Sequence, residues 1–199
     1  CLKKMNIKYF FLFLIIISCT NNDAQEGDSF YNNKDYINAI EYYNQSIKLN
    51  PNNVKSIYRR GRSYEEIGKY KKAYDDYMKV ITIDKKYTSA YLSIAIYHHR
   101  NSDFLLSESY SKKAIKINSD LYLAHYWLGR SYQNQGNFNE AMKSFNNSIS
   151  LNKNFPENYF YKGIIFLSLN DSNKACKNFL ISKSLNFIES SDLLKKYCR

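Results

Sequence analysis

Proline and glycine are scarce, two and six residues in a chain of 199. A turn-rich β architecture draws on both, so their scarcity favours helices. Histidine is scarce too, with only His98, His99 and His125. His98 and His99 are adjacent and must point apart on a helix, and His125 lies far downstream, so packing or solvation is expected of them and no metal site. The four cysteines, Cys1, Cys19, Cys176 and Cys198, make no C-x-x-C pair, which argues against a structural zinc site. Nucleophile-elbow, zinc-protease and phosphate-loop motifs are missing. Glu65-Glu66 and Asp75-Asp76 are sequence neighbours, and residues one apart on a helix do not face each other, so both pairs read as solvated faces. Neither catalysis nor a cofactor is expected.

Aromatic residues are abundant, with 20 Tyr and 12 Phe. Disordered chains are poor in them, so this chain should fold. The formal net charge is +11. Its lysines are scattered, with no run of five or six like charges, which points to solvated helix faces and not to a nucleic-acid site. The single Trp127 reads as packing between helices, because one aromatic is no stacking platform.

The most regular stretch, Tyr122 to Phe155, has two amphipathic halves flanking Gly136-Asn137. The second half places Phe138, Ala141, Phe145, Ser148, Ile149 and Leu151 at helical spacings. The pattern recurs with a period of 34, five times without a gap from Thr20 to Glu189. A small residue in each first half is Gly27, Gly61, Ala95, Gly129 or Gly163, followed three residues later by Phe30, Tyr64, His98, Tyr132 or Phe166. The second half opens with Tyr36, Tyr70, Phe104, Phe138 or Ser172. Its small position is Ala39, Ala73, Ser107, Ala141 or Ala175, its large one Tyr43, Tyr77, Ser111, Phe145 or Phe179, and its closing aliphatic Leu49, Ile83, Ile117, Leu151 or Leu185.

These residue types at these intervals resemble the tetratricopeptide repeat, a 34-residue helix-turn-helix. The resemblance implies an all-α fold, an α-solenoid of about five repeats in a right-handed superhelix. No copy can bury its apolar face alone, so neighbours must stack. The copies fall at about 20–53, 54–87, 88–121, 122–155 and 156–189, within a repeat region of 25–189. Ala95, His98, Ser107 and Ser111 mark the third copy as a soft point. Residues 190–199, SSDLLKKYCR, read as a capping helix over the fifth copy, with a start at Ser190, Ser191 or Asp192 and an apolar side of Leu193, Leu194 and Tyr197. Cys176 lies on the second helix of the fifth copy and Cys198 ends the cap, so a disulfide between them is expected, with two free thiols as the alternative.

In that family the first helices of successive copies line a groove that takes peptides. The matching positions are Tyr58, Arg62, Leu92, Ile96, Tyr126, Arg130, Asn134, Phe160 and Ile164, with those in one copy four residues apart on one helix face. Tyr, Phe and Arg suit binding hot spots. The lining suggests an extended, partly apolar peptide of some acidic character. Leu92 and Ile96 stand where a carboxylate clamp for chaperone tails needs Lys and Asn, so that activity is not expected.

At the other end, Met5 reads as a start, with Cys1 to Lys4 upstream. Lys8 precedes an apolar run, Phe10 to Ile17, too short to span a bilayer and sized for a secretory signal. The run ends Ile16-Ile17-Ser18-Cys19, which resembles a bacterial lipobox and implies diacylglycerol on Cys19 with cleavage before it. Residues 1–18 are then upstream residues and signal peptide, and 19–24 a lipidated tether. Asp does not directly follow Cys19, so the outer membrane is preferred over retention at the inner one. The expected function is a non-enzymatic protein–protein interaction scaffold, lipid-anchored in the bacterial cell envelope, in outer-membrane or secretion assembly, with a protein or peptide partner and no nucleic acid or metal. The alternative is an envelope lipoprotein that binds glycan or peptidoglycan, which a groove of stacked aromatics would favour.

Overall fold

The computed structural model describes residues 23–198. Among these the secondary structure is entirely helical, in hairpins. Residues 23–32 form α1, followed by α2 (Tyr36–Leu49), α3 (Val54–Glu66), α4 (Tyr70–Ile83), α5 (Thr88–Arg100), α6 (Phe104–Ile117), α7 (Tyr122–Asn134), α8 (Phe138–Leu151), α9 (Pro156–Ser168), α10 (Ser172–Ser184) and α11 (Ser190–Tyr197). The odd helices to α9 are the first of each pair and the even ones the second. The candidate lipid site Cys19 and the leader lie outside the described residues. None of the described helices is long and apolar enough to cross a membrane.

Each hairpin turns in the same way. Between first and second helix one residue takes a left-handed backbone, at Lys34, Gly68, Ser102, Gly136 and Asn170, with φ between 59° and 78°. The amide of the next residue then donates back to the carbonyl five residues earlier, as in Lys69 to Tyr64 at 2.8 Å and Asn137 to Tyr132 at 2.9 Å. These bonds satisfy carbonyls that a helix end leaves open. Side-chain caps start α2, α3 and α10: Asp35 accepts from the Asn38 amide, Asn53 from Ser56 and Asp171 from Lys174.

The chain divides into two compact units, Cys1–Ala90 and Tyr91–Arg199. In the first, Tyr43 and Tyr77 are fully buried beside Gly27 and Gly61. Their hydroxyls would be stranded there, and each donates to a carboxylate, Asp28 at 2.7 Å and Glu65 at 2.8 Å. Asp76 corrects the sequence reading: it is only 6% exposed and takes a two-pronged ion pair from Arg60, at 2.8 Å and 2.6 Å. Only Asp75 of that pair is exposed, where it meets Lys71.

In the second unit Phe145 and Phe179 take the same places with no hydroxyl to satisfy. The third copy replaces both members of the small–large pair. Ala95 stands for glycine and Ser111 for the aromatic, and the two changes are complementary: a methyl needs the room that the missing ring leaves. Ser107 and Ser111 are fully buried; Ser107 accepts from Ser131 at 2.8 Å, whereas the Ser111 hydroxyl finds no partner. The division between the two units falls in this copy.

An added Cβ at Gly129 would lie 2.8 Å from two carbons of the buried Phe145 ring. Gly129→Ala is therefore expected to destabilise by about 1–2 kcal/mol, because overpacking outweighs the roughly 1 kcal/mol helix-propensity gain of alanine. A lower urea midpoint at unchanged slope is the measurement.

Candidate functional site

Tyr126, Arg130 and Asn134 lie four residues apart along one face of α7, beside α5 and α9 in the sequence of first helices. The Arg130 guanidinium carbon sits 3.6 Å from the centre of the Tyr161 ring on α9 and 6.0 Å from that of Tyr126. Its Nη1 donates to the Tyr126 hydroxyl at 3.1 Å. Its Nε is buried without a hydrogen-bond partner, as are one carboxylate oxygen of Glu157 and the amide oxygen of Gln133. No carboxylate among the described residues forms an ion pair with Arg130.

Arg62 stands two periods earlier, in the first unit; its Nε is likewise buried without a hydrogen-bond partner, but its charge is met differently. It lies 3.7 Å from Glu65 and 3.4 Å from Glu66, so its charge is compensated within its own helix. The residues three and four beyond Arg130 are Gln133 and Asn134, neutral amides where Arg62 has two carboxylates. Asn134 is exposed; its amide donates to the Arg130 carbonyl at 2.8 Å and meets His99 Nε2 at 3.2 Å. His99 packs edge-on against Trp127 and Phe104, at 4.9 Å and 5.3 Å. Burial, and then the Arg130 charge, hold its pKa down at about 4. The cationic character of this face therefore resides in Arg130.

The other residues expected in a groove distribute unevenly. Leu92 and Tyr126 are corrections: they are 8% and 5% exposed and belong to apolar clusters, Tyr126 walled in by Phe155, Trp127, Phe145 and Tyr161. Ile96 is half-buried against the cluster of Leu92, Ala114 and Ala124. Phe160 packs on Phe179 and Phe187, and Ile164 is half-buried. Tyr58, in the first unit, lies between Tyr77 and Tyr87 at 5.5 Å and 5.0 Å. Cys176 and Cys198 are joined as a disulfide with Cα atoms 5.7 Å apart. Tyr161, Trp127, His99, Gln133 and Glu157 were missed. Trp127 and Tyr161 each stand one residue beyond an expected groove position, and comparing that position between copies would have found both. Among the described residues no three His, Cys, Asp or Glu gather as a metal site would need.

Two family models of the tetratricopeptide repeat match the chain, one at residues 24–53 and 122–155 and the other at 42–75. Residues 24–75 and 122–155 thus match tetratricopeptide repeats. Solved structures share the fold. MamA is 24% identical with a TM-score of 0.72, covering 86% of this chain and 97% of its own. YrrB, described as a tetratricopeptide-repeat protein with an unusual peptide-binding site, is 15% identical with a TM-score of 0.71, covering 87% and 90%. PilF of Pseudomonas aeruginosa is 12% identical with a TM-score of 0.75, covering 85% and 77%. Among curated proteins, a tetratricopeptide-repeat protein of Methanocaldococcus jannaschii is 26% identical over 147 residues, 65% of this chain. Human serine/threonine-protein phosphatase 5 is 36% identical over 66 residues, 33% of this chain, and the Hsp70-Hsp90 organizing protein 3 of Arabidopsis thaliana 29% over 69, 35% of it. The match spans only 24%, 13% and 12% of these three relatives. Both matching family models are repeat models, and phosphatase 5, named as an enzyme, matches over 33% of this chain.

With a folded pKa of about 4 against an ordinary 6.5, His99 stays neutral in the fold while the unfolded chain takes up its proton. The stability it contributes is present above about pH 6.5 and is lost as pH falls through about 4. A urea midpoint that declines from pH 6.5 to 5, with a shallower decline in His99→Gln, is expected.

Proposed function

We propose that this chain is a non-catalytic scaffold that binds an extended peptide bearing a carboxylate against α7 and α9. The observation that carries the reading is the Arg130 guanidinium, oriented by Tyr126 and Tyr161, with amides at the two positions where Arg62 has carboxylates. A partner carboxylate would supply the charge that the fold withholds. Paired geometry of this kind favours Arg over Lys, because a planar guanidinium offers two parallel donors. Stacked on Tyr161 and linked to Tyr126, the side chain is partly ordered before a partner arrives, so less rotamer freedom is lost on binding. The neighbouring rings of Trp127 and Tyr161 offer apolar contact for the rest of an extended ligand.

Crosslinking in cells identifies the partner, and the captured segment is then synthesised and titrated while Trp127 fluorescence is followed. Arg130→Ala, and separately Gln133→Glu with Asn134→Glu, should each weaken binding at least tenfold, roughly the worth of one charge-assisted hydrogen bond, while helix content is kept. Unchanged affinity in both variants would refute the site. Tyr126→Ala is a poor probe, because that side chain is part of the core.

The same proposal places the scaffold in a bacterial envelope, held by lipid on Cys19. What supports this is the sequence Ile16-Ile17-Ser18-Cys19 after a short apolar run. Two or more acyl chains on one residue suffice for stable anchoring. Metabolic labelling with an alkynyl palmitate should tag the wild-type protein and leave Cys19→Ala unlabelled and out of the membrane fraction. Equal labelling of both would sink the anchor.

A further inference from the structure

The first helices begin at Val54, Thr88, Tyr122 and Pro156, each 34 residues after the last, and α11 begins at Ser190, on the same register. Helix α11 thus stands at the first-helix register of a sixth copy, and it packs on α10 as α9 packs on α8. Its small position, 34 residues after Gly163, is Tyr197. Where Gly163 admits the ring of Phe179 at close range, Tyr197 bars a second helix from the same approach, and it is 43% exposed.

Little of its apolar surface is buried there. The helix has eight residues, against 13 or 14 in α2 to α10, below the roughly 12–15 at which an isolated helix becomes even marginal. It has no side-chain cap at its start. Its one fully buried residue is Ser190, whose hydroxyl finds no partner. Leu193 and Leu194 are only half-buried. What ties the helix down is the Cys176–Cys198 bond, and neither cysteine is buried.

We propose that this disulfide is a redox latch on α11. An external dithiol attacks one sulfur through its thiolate, the S–S bond breaks and a mixed disulfide forms, and the second thiol of the reagent displaces the protein thiol. Cys176 and Cys198 each gain an electron and a proton, and the dithiol leaves as its own disulfide. The ring of 22 residues opens, and α11 leaves α10 with its side of Leu193, Leu194 and Tyr197 uncovered. The hairpins of α7 to α10 keep their contacts, because each has its own buried aromatic.

The test is hydrogen exchange on the full chain, oxidised, reduced with dithiothreitol, and as Cys176→Ser, with thiol alkylation to report the redox state. Exchange within residues 190–197 should quicken on the order of 100-fold on reduction and in Cys176→Ser, the worth of closing such a loop, while α7 to α9 stay unchanged. Continued protection of α11 after complete reduction would overturn the latch, and so would loss of protection across α7 to α10, which would make the bond a staple of the whole unit. Full alkylation of both cysteines in the oxidised preparation would overturn it as well.

Discussion

The fold depends on one recurring contact, a missing Cβ on the first helix of a copy against a ring on the second. Gly129 and Phe145 show the constraint most plainly, since the ring occupies the space a methyl would need. Close approach removes the ring entirely from water and sets the separation of the two helices, from which the rest of a copy's packing follows. The aromatic differs between the units in a telling way. Tyr43 and Tyr77 bury a hydroxyl and must recruit Asp28 and Glu65, which in turn draw in Lys55 and Arg62. Phe145 and Phe179 make no such demand. One oxygen atom on the central ring thus decides whether carboxylates and cations are committed internally.

The hairpin pattern was legible because its residue types repeat at a fixed interval. The turn geometry was only half legible. Gly68 and Gly136 announce a left-handed backbone, but Lys34, Ser102 and Asn170 adopt it too, held by the bond across the turn that their hairpins impose. The third copy was legible as an exception from Ala95 and Ser111, though not the consequence that its buried serine hydroxyl would go unpartnered.

The candidate site was less legible, because a helix face gives a direction and not a burial. Tyr126 and Arg130 share a face, yet Tyr126 is closed over by Phe155 and Tyr161 from farther along the chain. That closure depends on the ring at the end of its own copy and on side-chain size in the next, which a list of equivalent groove positions leaves out. Asp76 misled for the same reason: a carboxylate next to another carboxylate looks solvated until Arg60, sixteen residues away, is brought against it.

The contrast between Arg62 and Arg130 was present in the sequence all along. Both stand at one register position, and the residues three and four beyond are Glu65 and Glu66 in one case and Gln133 and Asn134 in the other. Side chains at those spacings meet on a helix, so the first arginine is neutralised locally and the second is not. The amides occupy nearly the same volume as the carboxylates, so packing gives no reason for the exchange. Arg62 and Arg130 both hold a buried Nε without a hydrogen-bond partner, so the difference between them lies in the carboxylates beside Arg62; under the proposed reading a ligand carboxylate offsets the charge of Arg130. The same register position holds Ile96 in the third copy and Ile164 in the fifth, so the charge is confined to one rung, with apolar surface on either side of it. Under the proposed reading, such a face discriminates by where along an extended ligand its carboxylate falls.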